Sequence, residues 1–408
     1  MKYAIVIPDG CADEPQDSLG GRTPLQAARK PNMDQMARMG IVGRSNNVPA
    51  TLSAASDVAT LSLSGYDPLE VYTGRAPLEA AAMGVRLGPD DWAIRCNLVT
   101  VQDGCMTDFT AGHIKSDEAR ALIQTLQENL AASLSHFPDD FGRLEFHAGV
   151  SYRNLLVYRG AGRGGRFDET TKTQPPHDVP DQPIATHLPR GLGAELLCSI
   201  MERSRDILRD HPVNRARLDR GERPASQVWL WGQGRAPRLR AFVDVYGKRG
   251  AIISAVDLVR GVGVLLGWKR VDVPTATGYL DTDYAGKGRA AIAALASHDL
   301  VCVHVEAPDE ASHEGRADAK VAAIEEIDRH IVGPLLDALP AHGDWRILVS
   351  PDHRTFLRTR AHAHGAVPLV IAGTGISPAG QSTYDEATAS SSTLSFDRGC
   401  DLMPRFLG

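Results

Sequence analysis

The sequence predicts an α/β protein in which a mostly parallel sheet is flanked by helices and the chain carries an inserted α+β domain. Apolar runs long enough for buried strands alternate with helical patterns along most of the chain. This alternation is typical of parallel sheets with right-handed crossovers. The pattern changes between residues 91 and 189, where short strands surround one helical segment. We therefore expect one domain made of residues 1–90 and 190–408, interrupted by a second domain of residues 91–189.

The first domain begins with a predicted strand over residues 2–7, which ends at Pro8-Asp9-Gly10. Thr23 and Pro24 are typical of a helix start, because threonine can cap the first turn and proline needs no N–H donor there. The further predicted helices of this domain cover residues 32–39, 57–64, 77–83, 191–209, 258–266, 285–296 and 316–339. Its further predicted strands cover residues 228–231, 251–256, 300–305, 345–349 and 367–372. In the second domain the sequence predicts strands over residues 93–101, 145–148 and 155–158 and a helix over residues 117–134.

Composition and charge argue against two broad classes of protein. The 408 residues carry a net charge of −6, so neither a nucleic acid nor an anionic membrane is expected as the main partner. No apolar stretch is long and uncharged enough to span a membrane, and the first apolar run is too short for a signal peptide. The six cysteines lack the spacing of a zinc motif or a disulfide framework. We expect a cytoplasmic protein, with a homo-oligomer as one option for its assembly.

Aspartates follow three of the predicted strands at the point where each strand ends, and histidines lie nearby in the sequence. These residues are Asp9, Asp309 and Asp352, with His313, His353 and His362. In open α/β sheets, ligands bind at the carboxyl ends of the strands. Carboxylates gathered there without cations would repel one another. Oxygen and nitrogen ligands without a thiolate suit two divalent ions such as Mn²⁺ or Zn²⁺, so we expect a two-metal site.

Ser56 is the candidate nucleophile. The residues after it suit a short helix, which places Ser56 at a helix N-terminus, where backbone N–H groups favour an anion. It could also be a simple N-cap, and a capping position can still present a nucleophile. Two metal ions about 3.5–4 Å apart can clamp the attacking and leaving oxygens of an in-line phosphoryl transfer. His304, inside a predicted strand, is interpreted as structural, and His364 could replace His362 or bind substrate.

The chain also carries a series of short motifs in a characteristic order. They are Pro8-Asp9-Gly10, Gly20-Gly21-Arg22-Thr23-Pro24-Leu25, Ser56-Asp57-Val58-Ala59, Gly65-Tyr66-Asp67-Pro68, Gly74-Arg75-Ala76-Pro77-Leu78-Glu79, Arg95-Cys96-Asn97-Leu98, Trp229-Leu230-Trp231-Gly232-Gln233-Gly234, Asp309 with His313, and Asp352-His353 with His362. Together they resemble the archaeal-type, cofactor-independent phosphoglycerate mutases of the alkaline phosphatase superfamily, over nearly the whole chain. The resemblance implies an alkaline-phosphatase-like, metal-binding domain and an inserted domain that covers the substrate.

The resemblance also implies two metal sites and a phosphoserine intermediate. One ion would be held by Asp9, Ser56, Asp352 and His353, and the other by Asp309, His313 and His362. Ser56 would take the phosphoryl group from one hydroxyl of phosphoglycerate and return it to the other, without 2,3-bisphosphoglycerate. The site must then be closed, because water would convert the mutase into a phosphatase. The candidates for holding the carboxylate and phosphate of this small metabolite are Lys287, Arg95, Arg153 and Arg260, each of which could also be a solvated surface charge.

The sequence departs from the family pattern at positions that bear on substrate choice. Ala55 stands where the family usually has Gly, His113 where Arg is usual, and Arg354 and Phe356 where a small hydroxyl residue and Pro are usual. None of these changes removes a predicted metal ligand. A phosphomonoesterase and a homoserine-directed phosphotransferase are alternatives with the same serine and metals, although no Walker motif marks a nucleotide site. A non-catalytic domain braced by metals is a further alternative, which the intact nucleophile disfavours.

Overall fold

The computed structural model describes residues 1–134, 136–137, 139–140, 143–160 and 165–408, with the backbone alone at residues 131–133. The chain forms two compact units. Unit 1 comprises Met1–Tyr72 and Arg238–Gly408, and unit 2 comprises Thr73–Pro237. Unit 2 is therefore an insertion in the chain of unit 1.

The strands and helices follow one another along the described residues. The strands are β1 Lys2–Pro8, β2 Ile41–Ser45, β3 Trp92–Gln102, β4 Cys105–Asp108, β5 Leu144–Val150, β6 Arg153–Tyr158, β7 Gln227–Arg235, β8 Gly250–Ile253, β9 Lys269–Arg270, β10 Leu300–Val305, β11 Trp345–Val349, β12 Arg354–Phe356, β13 Ala361–Ala363, β14 Val367–Gly373 and β15 Ser395–Phe396. The α-helices are α1 Pro24–Ala27, α2 Pro31–Met39, α3 Ser56–Leu63, α4 Pro68–Val71, α5 Arg75–Ala82, α6 Ser116–Ser133, α7 Ala194–Arg209, α8 Pro212–Asp219, α9 Phe242–Tyr246, α10 Asp257–Leu265, α11 Tyr284–Leu295, α12 Ala307–Glu314, α13 Ala317–Ile327, α14 Gly333–Ala338, α15 Glu386–Ser391 and α16 Leu402–Leu407. No helix among the described residues is both long and apolar enough to cross a membrane.

Unit 1 is built around an eight-stranded sheet in the order β15-β2-β14-β11-β1-β10-β8-β9. The strands from β11 to β9 run parallel, whereas β14 runs antiparallel to both β11 and β2. The predicted mostly parallel α/β class is therefore confirmed. β1 lies at the centre, with Ile7 opposite His304 on β10 and Val6 opposite Val349 on β11. Since these three strands run in one direction, their carboxyl ends meet at one edge of the sheet.

Unit 2 contains an antiparallel sheet in the order β4-β3-β6-β5, with β7 paired to β3 as well. Its core combines apolar side chains of this sheet with those of α6 and α7. Unit 2 extends beyond the predicted insertion of residues 91–189 at both ends of the sequence. The strand predicted over residues 228–231, which the sequence assigned to the first domain, is β7 and pairs with β3. At the N-terminal end of unit 2, Ala76 and Ala80 of α5 pack against Ala93 of β3, so this helix also belongs to unit 2.

The helix predicted over residues 316–339 is not continuous. It consists of α13, a π-helical segment Asp328–Val332, and α14. Pro334 has no N–H to donate to the carbonyl four residues earlier, so the regular hydrogen-bond ladder cannot pass this point. The carboxylate of Asp328 accepts hydrogen bonds from the backbone N–H groups of Met33 (2.7 Å) and Asn32 (3.2 Å). The π-helical segment therefore begins at the residue whose side chain is hydrogen-bonded to the backbone of α2.

Candidate metal centre and nucleophile

The carboxyl ends of β1, β10 and β11 bring the three predicted aspartates together. Asp9 follows β1 directly, and its N–H donates to the carbonyl of Val305 at the end of β10 (3.0 Å). Asp352 follows β11, and its Oδ1 accepts a hydrogen bond from the N–H of Gly10 (3.2 Å). Asp309 lies in the first turn of α12, which begins directly after β10. All three carboxylates are buried, with at most 3% of each residue exposed.

Gly10 is required by the close approach of these groups. Its φ of +59° lies in the left-handed region. A Cβ added there would lie 2.3 Å from Oδ1 of Asp309 and 2.5 Å from Oγ1 of Thr355. Only a residue without a side chain lets the turn after β1 pass this close to the second carboxylate.

Ser56 is the first residue of α3, and its side chain does not cap the helix. The N-cap position belongs to Ala55, which makes no side-chain hydrogen bond. Ser56 Oγ instead donates to Oδ2 of Asp9 (3.1 Å) and lies 3.2 Å from Nε2 of His353. The interpretation of Ser56 as a simple N-cap is therefore wrong. The hydroxyl lies among the predicted metal ligands, and the residue is 8% exposed.

One group of ligand atoms surrounds Nε2 of His353. Oδ1 of Asp9 and Oδ2 of Asp352 each lie 3.5 Å from this nitrogen. Both oxygens are buried and have no hydrogen-bond partner among the described residues. Burial, followed by the nearby carboxylates of Asp352 and Asp309, raises the pKa of Asp9 well above its usual range. Buried carboxylate oxygens without partners are costly, and a divalent cation between them would remove that cost.

The second group consists of Asp309, His313 and His362. Oδ2 of Asp309 lies 3.0 Å from Nε2 of His313 and 3.4 Å from Nε2 of His362, and the two nitrogens are 3.0 Å apart. Burial opposes ionisation of Asp309, but its hydrogen bonds with the two imidazoles outweigh burial and hold its pKa well below the usual range. The same hydrogen bond raises the pKa of His313 to about 9. Without a cation, this group therefore holds a proton that a metal ion would displace.

All three predicted histidine ligands have the same orientation. In each imidazole Nδ1 contacts a hydrogen-bond acceptor of the protein, and Nε2 faces the carboxylates. The acceptors are the carbonyl of Arg360 for His313 (2.9 Å), the carbonyl of Ala54 for His362 (2.9 Å) and Oγ1 of Thr355 for His353 (3.2 Å). An Nδ1–H that donates in this way fixes the tautomer whose Nε2 lone pair is available to a metal ion. The donor set therefore fits two divalent cations bound by oxygen and nitrogen.

The sequence interpretation missed His304 and Glu306. Nε2 of His304 lies 2.8 Å from Oδ2 of Asp9, and His304 forms a third potential metal-ligating group with Asp9 and Asp352. Oε2 of Glu306 is buried without a hydrogen-bond partner among the described residues, and burial together with the Asp9 carboxylate raises its pKa well above the usual value. The available signal was a polar residue near the carboxyl end of an otherwise apolar strand.

Comparison with known proteins identifies the family. A family model described as 2,3-bisphosphoglycerate-independent phosphoglycerate mutase matches residues 37–214. A protein of that name from Methanothrix thermoacetophila is 48% identical over 404 residues, which cover 99% of this chain and 98% of the relative. A probable enzyme of the same name from Geobacter sulfurreducens is 46% identical, with both chains covered completely. The chain belongs to this family. A mutase is an isomerase, and the predicted class of enzyme is confirmed.

Solved structures agree with membership of the mutase family. A cofactor-independent phosphoglycerate mutase from Thermoplasma acidophilum superposes with a TM-score of 0.67 at 28% identity, and both chains are covered completely. A protein from Pyrococcus horikoshii superposes with a TM-score of 0.81 at 27% identity, which covers 100% of this chain and 96% of that one. The likeness therefore extends over both units of the mutase.

Two of the predicted substrate residues of this mutase, Lys287 and Arg260, have partners within unit 1. Lys287 on α11 is fully buried, and its Nζ donates to the carbonyl of His304 (3.1 Å). Burial lowers the pKa of Lys287 to about 8. Arg260 on α10 donates to the carbonyl of Ser254 (2.7 Å) and forms an ion pair with Asp257 (3.2 Å). Neither group is a solvated surface charge, and their predicted contact with substrate stays a prediction.

The other two predicted substrate residues, Arg95 and Arg153, lie in unit 2. Arg95 is buried on β3, with its guanidinium 4.0 Å from the ring centre of Trp231 and its Nε 2.9 Å from a carboxylate oxygen of Glu79. Arg153 begins β6 and stacks 4.5 Å from the ring centre of the preceding tyrosine. Burial lowers the pKa of His177, and the charges of Arg95, Arg153 and a third arginine, at position 75, add to the effect. Arg95 is buried whereas Arg153 is exposed, and the contact of both with substrate stays a prediction.

His364 does not join either metal-ligating group. Its Nε2 lies 2.8 Å from the carbonyl of Leu52, in the segment that leads to Ser56. Arg354, one of the departures from the family pattern, donates through Nε to the carbonyl of Ala366 (2.8 Å). Both side chains therefore hold loops beside the centre in place.

Proposed function

We propose that the enzyme interconverts 3-phosphoglycerate and 2-phosphoglycerate through a phosphoserine at Ser56, with two divalent cations and without 2,3-bisphosphoglycerate. The observation that carries the proposal is the position of Ser56 Oγ, within 3.2 Å of both Oδ2 of Asp9 and Nε2 of His353. The substrate assignment is supported by relatives named for this reaction at 45–49% identity over nearly the whole chain.

The proposed ligand sets follow from the two groups of side chains. One cation would be held by Asp9, Ser56, Asp352 and His353, and the other by Asp309, His313 and His362. Bound cations would supply Lewis acidity, which neutralises charge on the transferring phosphoryl group and favours the alkoxide of the serine. Manganese and zinc both suit this donor set.

The protein side of the reaction begins with the hydrogen bond from Ser56 Oγ to Oδ2 of Asp9, which points the hydroxyl proton at an acceptor. In the first half, the bond between Oγ and phosphorus forms while the bond from phosphorus to the substrate oxygen breaks, and that oxygen takes up a proton. In the second half, the other hydroxyl of glycerate gives up its proton and attacks phosphorus, the bond from phosphorus to Oγ breaks, and Oγ takes up a proton in return. Because the two halves mirror each other, no co-reactant is consumed.

Water must be kept from the phosphoserine for this sequence to yield an isomer. Ser56 is almost fully buried, and the carboxylates beside it are completely buried. Expulsion of water also strengthens the electrostatic interactions within the site. Lys287, Arg95, Arg153 and Arg260 are our candidates for holding the anionic groups of the substrate.

The test is an enolase-coupled assay of the full-length chain with Mn²⁺ and no added bisphosphoglycerate. We expect turnover by the wild-type chain and its loss in Ser56→Ala. The loss of activity should exceed the roughly hundred- to ten-thousand-fold that a positioned acid or base typically contributes. Ser64→Ala is the matched control, because this serine lies at the opposite end of the same helix and is also buried.

The outcomes separate the alternatives. Release of inorganic phosphate without isomer exchange would replace the mutase with a phosphomonoesterase of the same site. Phosphorylation of homoserine without isomer exchange would indicate the phosphotransferase. Equal turnover by Ser56→Ala and wild type would remove the nucleophile and the proposal with it.

A further inference from the structure

Three adjacent strands bring a serine, a histidine and an aspartate into one buried row. Ser254 follows β8, His304 lies near the end of β10, and Asp9 follows β1. The parallel register pairs Ile253 with Val303 and Ile7 with His304, so Ser254 stands level with His304 and Asp9 comes two residues after the partner of His304 on β1. All three residues are at most 4% exposed.

The row is linked by consecutive hydrogen bonds. The N–H of Val256 donates to Oγ of Ser254 (3.0 Å), Oγ of Ser254 lies 3.2 Å from Nδ1 of His304, and Nε2 of His304 lies 2.8 Å from Oδ2 of Asp9. As a metal ligand Asp9 must be ionised, and a carboxylate only accepts hydrogen bonds, so Nε2 of His304 is the donor in that state. Nδ1 of the neutral ring is then an acceptor, and the hydroxyl of Ser254 donates to it. Each donor in the row has one acceptor, which fixes the tautomer of His304.

In this arrangement the two carboxylate oxygens of Asp9 have different contacts. Oδ2 accepts from both His304 and Ser56, whereas Oδ1 has no hydrogen-bond partner among the described residues and faces His353. Rotation of the carboxyl group would break the bond to His304. The backbone at His304 is held as well, because Nζ of the buried Lys287 donates to its carbonyl (3.1 Å).

We infer that His304 is a positioning residue, which holds Oδ2 of Asp9 so that Oδ1 points at the cation, and that Ser254 keeps His304 in the tautomer this requires. The inference rests on the proposed function in one respect, namely that Asp9 is a metal ligand. His304 itself is not a ligand in this arrangement, because its Nε2 carries the proton that binds Asp9. Partners of this kind typically contribute 10- to 100-fold to metal affinity.

The experiment is calorimetric titration of the full-length chain, freed of metal by chelation, with Mn²⁺. His304→Leu should weaken one of two binding events by about 10- to 100-fold, with two ions still bound at saturation. His304→Gln should bind Mn²⁺ more tightly than His304→Leu, because an amide N–H can donate to Asp9 whereas a leucine side chain has no donor. Ser254→Ala should weaken the same event by a smaller factor. His298→Leu is the matched control, since His298 is a partly buried histidine whose imidazole contacts Ala294 and Ser297.

Each outcome has a defined meaning. Unchanged Mn²⁺ affinity in His304→Leu would overturn the inference, as would a fall to one bound ion in both His304 variants, because His304 would then be a ligand. A purely structural role would lower the unfolding temperature of the metal-free variant and leave the affinity of the folded fraction unaltered, which also overturns it. If His304→Leu does not fold, Ser254→Ala decides, and unchanged affinity in that variant counts against the inference.

These results are independent of the mutase assay. A wild-type chain that binds two ions without isomerising phosphoglycerate would end the proposed function and leave the role of His304 intact. A wild-type chain that isomerises phosphoglycerate while His304→Leu binds Mn²⁺ normally would end the inference alone.

Discussion

Binding of a cation by Asp309, His313 and His362 should release protons, and their number follows from the geometry. The hydrogen bond to Asp309 raises the pKa of His313 to about 9, so about 97% of this imidazole is protonated at pH 7.5 in the metal-free chain. Burial lowers the pKa of His362, but its hydrogen bond to Asp309 reverses the direction and leaves the pKa raised. Since a metal ligand must be deprotonated, binding at this group should release between one and two protons at pH 7.5.

The assay is calorimetric titration with Mn²⁺ in two buffers that differ in ionisation enthalpy, because the difference in observed heat counts the protons. The apparent affinity should also rise about tenfold per pH unit between pH 6.5 and 9 if one proton is displaced. The stability of the metal-free chain should depend on pH in the opposite direction. The folded pKa of His313 lies above its unfolded value, so its ion pair stabilises the metal-free chain below about pH 6.5 and the gain is lost as the pH rises through about 9. Heats that are identical in both buffers, with an affinity that does not depend on pH, would refute this reasoning.

Two further predictions concern the packing around the centre. Gly10→Ala should lower the free energy of unfolding by about 2–5 kcal/mol, as the sum of left-handed strain and overpacking. Gly20 also has a left-handed φ, +66°, but apart from its two chain neighbours no heavy atom of the described residues lies within 4 Å of an added Cβ. Gly20→Ala should therefore show the strain alone, at about 1–2 kcal/mol. Equal losses in chemical denaturation would contradict the contact with Asp309. Lys320→Met should lower the free energy of unfolding by about 3–5 kcal/mol, because it leaves the buried carboxylate of Asp13, which lies 2.8 Å from Nζ, without its counter-ion. The double variant with Asp13→Asn should recover part of this stability, and no recovery would argue against the ion pair.

The sequence predicted the strands that form the core of the site with little error. The predicted bounds 300–305 and 345–349 match β10 and β11, because both runs are almost wholly apolar and end at a polar residue. It missed β2, whose Gly and Arg interrupt the apolar pattern, and the hairpin of β12 and β13, whose strands have three residues each. Such short elements form because of tertiary pairing, and local pattern carries little information about them.

The errors at the site have a similar cause. His304 has an unremarkable position in the sequence, and its importance depends on Ser254 and Asp9, which are distant along the chain. The boundary of the inserted unit depends on the pairing of β7 with β3, which no local pattern reveals. Residue types and strand ends were therefore predictable, whereas hydrogen-bond partners between distant segments needed coordinates.

The order of the strands has a consequence for how the protein emerges from the ribosome. β1 is synthesised long before its neighbours β10 and β11, which begin at residues 300 and 345. At 5–20 residues per second, the central strand waits roughly 15–60 s before either neighbour exists. Unit 2 is continuous in the chain and can fold during that interval. The nascent chain therefore exposes a long apolar strand throughout most of translation, and nascent-chain chaperones that cover residues 2–8 should matter more for this enzyme than for one whose strands pair in order.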